Sequence, residues 1–213
     1  MSVLCIGEIP LLAGRKKGVF ADKAADVKAV VVREGDRDIM KEAFRVLHTN
    51  LEFMTGKDRK SNVIVMTSFN PGSGKSFLTM NIAVSLAIKG KKVLVIDGDL
   101  RHGSSSAYVG SPKPGLSDYL SGRVERLADI IVTDKSHKHL DILPVGTIPP
   151  NPTELLFDDR LKQAIDAARE QYDYVLIDCP PIELVADTQI IEKLADRTIF
   201  VIRAGLLERI SVV

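Results

Sequence analysis

The sequence has few cysteines, no tryptophan and no long hydrophobic run. Its two cysteines, Cys5 and Cys179, cannot build a disulfide-rich scaffold, and we expect a reducing compartment. Runs such as Val63–Met66 and Val93–Ile96 are far shorter than the ~20 apolar residues that span a bilayer. Glu8 interrupts the short apolar start of the chain, so no signal peptide is predicted. We therefore expect a soluble chain, which could still be one piece of a longer membrane protein.

The chain also lacks an excess of charge of either sign. Its 213 residues carry 29 Lys and Arg against 28 Asp and Glu, which gives a formal net charge of +1. A dedicated nucleic-acid-binding domain usually has a basic excess, so we expect no nucleic-acid partner. The hydrophobic fraction of 45% is too high for a disordered chain and suits one domain with a sizeable core.

The start of the chain shows no clear periodicity. We interpret residues 1–37 as an N-terminal linker or lead-in segment that contains one strand, at Val27–Val32. The basic triplet Arg15–Lys17 is either a solvated loop or a stretch near a membrane surface. The folded domain is predicted over residues 38–213, and it begins with a helix from the expected cap Asp38 to about Met54.

This first helix has apolar residues at helical spacing, and Phe44, Phe53 and Met54 are predicted to lie in the core. Its polar residues recur at intervals of three, so we expect them to share one broad face. They are Glu42, Arg45 and His48.

Short apolar runs alternate with helical patterns along the rest of the chain. The predicted strands are Val63–Thr67, Val93–Ile96, Leu140–Val145, Tyr174–Ile177 and Thr198–Ile202. The predicted helices are Phe77–Ile88, a long stretch between Thr153 and Gln171, and Asp187–Leu194. This alternation predicts an α/β fold with a mostly parallel β-sheet and helices on both faces.

A glycine-rich turn, Asn70–Ser76, joins the first of these strands to a helix. Glycines let the backbone curl so that its N–H groups point inward at phosphate oxygens, and the helix N-terminus favours anions. Lys75 would reach the β- and γ-phosphates, and the Ser76 hydroxyl would bind Mg²⁺. The usual P-loop pattern begins with Gly where this chain has Phe69. A plain strand–helix turn is the alternative, but it would not require the Lys-Ser pair.

Acidic residues follow two further buried strands. Asp97, Asp99 and Arg101 come directly after one strand, and Asp178 ends another. An Asp at the end of a buried strand is the Walker B arrangement, which orients Mg²⁺ and its waters. Each Asp could instead be a turn or cap residue. The strand ends form one site only if they are neighbours in the sheet, which we infer from the ligand-binding edge of open α/β sheets.

Three segments of the chain together resemble the nucleotide motifs of the bacterial tyrosine kinases (BY-kinases). They are Pro71–Ser76, Val95–Arg101 with its D-x-D-x-R pattern, and Ile177–Pro181. The loop Leu143–Pro152 and the helix that contains Glu42 are also similar to the family. The resemblance implies a P-loop NTPase fold and an ATP-dependent protein-tyrosine kinase. It further implies autophosphorylation in trans and control of capsular and extracellular polysaccharide synthesis and export.

The resemblance also implies ATP and Mg²⁺ as cofactors and assigns roles to residues. Asp97 is expected to accept the proton of the incoming tyrosine and Asp99 to help hold metal or substrate, with their division of roles left open. Lys75 completes the catalytic set. The expected metal ligands are Ser76, Asp97 and Asp178. The expected nucleotide contacts are Pro71, Gly72, Ser73, Gly74, Lys75, Ser76, Phe77 and Arg101.

The family assembles into rings through an E-x-x-R-x-x-R helix, so Glu42 and Arg45 are expected to serve a homo-oligomer. The third position here is His48, which binds carboxylate less well than Arg. The resemblance implies a transmembrane activator as partner, protein-tyrosine substrates, and a cytoplasmic location at the inner face of the bacterial plasma membrane. The family's tyrosine-rich C-terminal tail is absent. The tyrosines of this chain are Tyr108, Tyr119, Tyr172 and Tyr174.

A second interpretation is a nucleotide-switch ATPase of the Min/Par class, which drives assembly without a protein acceptor. The Glu42 and Arg45 face and the missing tyrosine tail favour it. Those ATPases carry a signature Lys where this chain has Asn70, which argues against it. The two interpretations differ in whether the phosphate ends on tyrosine or in water.

Overall fold

The computed structural model describes residues 4–10, 30, 32, 39–55, 61–182 and 186–206. The basic triplet Arg15–Lys17, the expected cap Asp38 and most of the predicted strand Val27–Val32 lie outside these ranges. Val32 is described and buried, and its N–H donates to Oδ1 of Asn81 at 3.3 Å. Within the described ranges, no helix is long and apolar enough to cross a membrane.

A six-stranded sheet with the order β3-β4-β2-β5-β1-β6 forms the centre of the molecule. All neighbouring strands are parallel except β3, which pairs antiparallel with β4. The predicted mostly parallel sheet is therefore confirmed, and the short edge strand β3 is an addition. The strands are β1 (Asn62–Ser68), β2 (Val93–Asp97), β3 (Val132–Thr133), β4 (Leu140–Leu143), β5 (Tyr174–Asp178) and β6 (Arg197–Val201).

Helices cover both faces of this sheet. The helices are α1 (Ile39–Thr55), α2 (Lys75–Ile88), α3 (Leu116–Leu120), α4 (Pro152–Leu156), α5 (Asp159–Gln171) and α6 (Asp187–Glu192). The stretch predicted as one helix between Thr153 and Gln171 is two helices. The break occurs at Asp158, whose side chain accepts a hydrogen bond from the N–H of Arg160 and so caps α5.

The core consists of two apolar layers, one on each side of the sheet. Alternate residues of β1 point to opposite layers: Ile64 and Met66 to one, Val63 and Val65 to the other. Helices α1 and α2 cover the first layer, and α3 to α6 cover the second. A Leu or Ile side chain buried in this way stabilises the fold by about 1.5–3 kcal/mol.

Helix α1 differs from its sequence prediction at two positions. Phe53 is 83% exposed, so its predicted place in the core is wrong. It follows the buried Leu51 by two residues, about 200° around the helix, and therefore faces away from the core. His48 was expected on the polar face but is fully buried, because it lies four residues after the buried Phe44. Lys89 at the end of α2 donates to Nδ1 of His48 at 2.7 Å.

Candidate active site

The three predicted motifs meet at one edge of the sheet. Strand β5 lies between β2 and β1, so their carboxyl ends are neighbours. Asp97 and Asp178 occupy paired positions on β2 and β5, and Met66 of β1 pairs with Asp178 from the other side. The inferred adjacency of the strand ends is therefore confirmed.

The P-loop folds tightly between β1 and α2. Gly72 and Gly74 have φ of 74° and 92°, a left-handed conformation that side chains other than glycine rarely adopt. The carbonyl oxygen of Asn70 accepts hydrogen bonds from the hydroxyls of Ser68 and Ser73, both at 2.8 Å. Helix α2 begins at Lys75, directly after Gly74. The loop therefore ends on a helix N-terminus, which is the geometry that binds phosphate.

Asp97 is a fully buried carboxylate with fixed hydrogen bonds. Its Oδ2 accepts from the N–H of Ser106 at 2.6 Å and from the Ser106 hydroxyl at 2.7 Å. Burial raises the pKa of Asp97 to about 7, and the neighbouring Asp178 charge acts in the same direction. A carboxyl group that titrates near neutral pH is well matched to accepting and releasing a proton.

Asp178 is also fully buried, and in the described part of the chain only its Oδ2 accepts a hydrogen bond of ordinary geometry. The Ser105 hydroxyl donates to Oδ2 at 2.6 Å. Oδ1 is buried and makes no hydrogen bond of ordinary geometry within the described residues. Burial raises the pKa of Asp178, while the Lys75 ammonium and the hydroxyls of Ser105 and Ser76 act against this. Lys75 and Ser76 therefore lie close to this carboxylate.

The donor set around Asp178 fits a divalent cation. A buried carboxylate oxygen without a donor is costly, and a cation or an ordered water would satisfy it. The predicted metal ligands Ser76 and Asp97 lie next to it. Mg²⁺ prefers such oxygen ligands and keeps several non-protein ones. No group of three His, Cys, Asp or Glu side chains forms a metal cage in the described ranges.

Asp99 and Arg101 have different surroundings from those of Asp97. Oδ1 of Asp99 accepts the N–H groups of Arg101 and His102, both at 3.2 Å, and so shapes the turn after β2. The Arg101 guanidinium contacts Asp187 of α6 and Thr153 of α4. The contact of Arg101 with nucleotide remains a prediction.

The comparisons with known proteins agree with this geometry. The family model described as AAA domain matches residues 61–207. The tyrosine-protein kinase YwqD of Bacillus subtilis is 38% identical over 181 residues, which are 84% of this chain and 75% of YwqD. The chain belongs to the bacterial tyrosine-protein kinase family. A Klebsiella pneumoniae relative whose name places it in the cps region is 35% identical over 201 residues, 92% of this chain and 27% of that protein.

Solved structures show the same fold. The kinase domain of the Escherichia coli tyrosine kinase ETK superposes with a TM-score of 0.73 at 36% identity, covering 78% of this chain and 65% of that one. The septum site-determining protein MinD of Pyrococcus horikoshii, complexed with Mg-ADP, gives a TM-score of 0.57 at 29% identity, covering 66% and 57%. The chain spans about a quarter of the length of the first curated relatives it matches.

In this member of the tyrosine-protein kinase family, four site residues escape the motif analysis. Ser105 and Ser106 are buried and hold Asp178 and Asp97, yet in the sequence they form an ordinary serine run. The sequence offered one signal for them, which is that they follow Arg101, the arginine of the D-x-D-x-R pattern, by four and five residues. Thr153 and Asp187 gave no signal, because each stands at the start of a predicted helix, where such residues are common.

The family's predicted assembly residues, Glu42 and Arg45, are exposed and paired with each other. Arg45 donates Nε to Glu42 Oε2 at 2.8 Å and Nη2 to Oε1 at 2.5 Å. The hydrogen bond from Arg45 lowers the pKa of Glu42. Both side chains remain about 60% exposed. A ring contact through them stays a prediction, and it would require this pair to open or to accept a further partner.

Proposed function

We propose that the chain is an ATP-dependent protein-tyrosine kinase domain that uses Mg²⁺. The observation that carries the proposal is a P-loop beside two buried carboxylates, Asp97 and Asp178, at adjacent strand ends. Family membership supports this reaction, because the curated relatives such as YwqD and the solved ETK domain are named tyrosine kinases.

Residues of the P-loop hold the triphosphate in this proposal. Within Pro71–Ser76, the backbone N–H groups of Gly72–Ser76 line the phosphates, since proline has no N–H. Phe77 continues the first helical turn behind them. Lys75 binds the β- and γ-phosphates. Ser76, Asp97 and Asp178 supply the protein oxygens for Mg²⁺, which when bound neutralises the charge that develops on the transferred phosphoryl group.

The segment after β6 lies against the P-loop. Arg203 donates Nη1 to the carbonyl oxygen of Gly72 at 3.0 Å, which ties the segment after β6 to the P-loop. Phe69, Phe200 and Leu206 line a recess at this junction.

Asp97 is the proposed proton acceptor. A tyrosine hydroxyl has a pKa near 10, so a base near it helps to form the nucleophile. The tyrosine oxygen bonds to the γ-phosphorus, the bond from that phosphorus to the β–γ bridging oxygen breaks, and ADP leaves. The tyrosine proton passes to Asp97. Without metal, burial raises the pKa of Asp97 to about 7, and a bound Mg²⁺ would favour the ionised form that accepts this proton. Asp99 keeps the turn that presents Asp97 in shape.

The acceptor tyrosine is proposed to come from another polypeptide segment. All four tyrosines of the chain are buried or half-buried, and none is exposed. The proposed substrates are therefore tyrosines that do not belong to this sequence, on other polypeptide segments or other chains. Following the family resemblance, we further propose a homo-oligomer, a transmembrane activator, and a role in exopolysaccharide synthesis at the inner face of the plasma membrane.

The test is the fate of the labelled phosphate. The full chain is incubated with Mg²⁺, γ-labelled ATP and a synthetic poly(Glu,Tyr) acceptor. Label on tyrosine supports the kinase, and label only in free phosphate refutes it in favour of the switch ATPase. Lys75→Met is expected to abolish transfer while the fold persists, because the phosphates lose their ammonium partner. Lys162→Met, which changes an exposed lysine of α5, is the matched control. Normal transfer by Lys75→Met would contradict the site assignment.

A further inference from the structure

Asp187 is a completely buried carboxylate that the proposed reaction does not use. It is the first residue of α6, and both its oxygens have partners. Oδ1 accepts from the Thr153 hydroxyl at 2.6 Å, and Oδ2 accepts from Nε of Arg101 at 3.2 Å. Burying a charge is costly even when it is paired, and pairs of this kind are often replaceable by apolar residues without loss of stability. A contribution to stability alone is therefore a weak explanation for this group.

The three side chains form a closed ring of hydrogen bonds. Besides its bond to Asp187, Thr153 accepts from Nη2 of Arg101 at 3.0 Å. The Arg101 guanidinium is thus held at two of its nitrogens, by two different helices. A guanidinium fixed at two points keeps one orientation, whereas a single contact would let it rotate. Arg101 nevertheless remains 37% exposed, so the fixed cation still faces the outside of the ring.

The ring joins the segments that follow three adjacent strands. Arg101 follows β2, Thr153 lies beyond β4, and Asp187 lies beyond β5, and the sheet order places β2 between the other two. Arg101 is two residues from Asp99 and four from Asp97. Its own N–H donates to Asp99 at 3.2 Å. The residue whose guanidinium the ring fixes is therefore also bonded, through its own backbone, to the turn that carries both carboxylates.

We propose that Thr153 and Asp187 are positioning residues, which hold Arg101 and through it the turn from Asp97 to Arg101 in the geometry needed for phosphoryl transfer. The inference rests on the proposed kinase function. Displacing catalytic groups by about 1 Å can lower a rate roughly a hundredfold. The ring thus acts on the rate of transfer, while the P-loop is left to bind nucleotide.

The test replaces the Thr153 hydroxyl and little else. Thr153→Val keeps the shape and removes the hydroxyl, Thr153→Ser keeps the hydroxyl, and Thr133→Val makes the same change on the exposed edge strand β3 as a control. In the full chain with Mg-ATP and poly(Glu,Tyr), Thr153→Val is expected to lower kcat roughly tenfold to a hundredfold. The KM for ATP should change less than about threefold, and Thr153→Ser should recover most of the rate. A Thr153→Val enzyme as fast as Thr133→Val, or a Ser variant no better than Val, overturns the inference.

A second measurement does not depend on kinase activity. Hydrogen exchange of the Arg101 and His102 amides, which donate to Asp99, should be faster in Thr153→Val than in Thr133→Val at equal melting temperature. Unchanged exchange overturns the inference whether or not the wild type transfers phosphate to tyrosine. A wild type that transfers no phosphate to tyrosine refutes the proposed function instead. If Thr153→Val does not fold, Arg101→Lys tests the same ring at a partly exposed position, with the same expected loss of kcat and faster exchange.

Discussion

Removing the charge of Asp97 is expected to stabilise the chain when neither metal nor nucleotide is bound. The carboxyl group is fully buried, and its pKa is about 7 in the folded chain against an ordinary 3.8. The folded state therefore holds this proton more tightly than the unfolded state does. The free energy of unfolding is therefore highest, as far as Asp97 is concerned, below pH 3.8. It falls as the pH rises above 3.8, and the loss is complete once the pH has passed about 7.

The size of the effect follows from the two pKa values. Each pH unit between them is worth about 1.4 kcal/mol, so complete ionisation removes about 4 kcal/mol from the free energy of unfolding. By the same relation, about 4 kcal/mol is lost at pH 8 but less than about 2 kcal/mol at pH 5. Through this group alone, the free energy of unfolding should fall by roughly 2–3 kcal/mol between pH 5 and pH 8.

Asp97→Asn retains the shape of the side chain and an oxygen that can accept from the N–H of Ser106, but it does not ionise. Urea unfolding in EDTA without nucleotide, at pH 5 and pH 8, measures the free energy of unfolding of both proteins. The variant should gain roughly 2–3 kcal/mol on the wild type between the two pH values. Asp166→Asn, at an exposed position on α5, controls for the general loss of a carboxylate. A difference between Asp97→Asn and wild type that is the same at both pH values would refute the reasoning.

Three further outcomes are expected. Gly146→Ala should destabilise the chain by several kcal/mol more than Gly90→Ala in urea unfolding. Both glycines have φ near 80°, but of the two only Gly146 lies so close to the backbone of Gly115 that an added Cβ would collide with it. Equal losses would contradict this close approach. Burial and the Lys89 charge lower the pKa of His48, so its NMR titration should have a midpoint below 6.5, and a midpoint at or above 6.5 would contradict the contact. Mixing wild-type chains with Arg45→Ala should reduce the oligomer size at an unchanged melting temperature, because the Arg45 pair is exposed, whereas an unchanged size would exclude the predicted interface.

Four of the strands could be predicted because each is a short apolar run buried within the sheet, whereas the predicted strand Thr198–Ile202 lies at the edge and is partly exposed. Val63–Met66 and Val93–Ile96 are completely or almost completely buried, and no periodicity is needed to recognise them. The edge strand β3 has two residues and is only partly buried, so it leaves no comparable signal. The helix break at Asp158 depends on a cap, which a continuous helical pattern conceals.

The site was predictable where motif and backbone geometry coincide. Gly72, Gly74 and Lys75 could be assigned because a phosphate loop requires these residue types at this spacing. The serines that hold Asp97 and Asp178 could not be assigned, because their role depends on which way a turn after β2 folds back over the sheet. Contacts of that kind join residues that are far apart in the sequence, such as Ser105 and Asp178, which are separated by 73 positions.

His48 shows how a tertiary contact changes the meaning of a motif position. The family pattern places an intersubunit Arg here, and a histidine at that position suggested a weaker ring. In the fold, His48 is buried and accepts from Lys89 at the end of the P-loop helix, so it is occupied within the chain. Of the three predicted motif positions on α1, only Glu42 and Arg45 are exposed and free to serve a ring contact. Through His48 and Lys89, α1 is thus tied to the end of the helix that follows the P-loop.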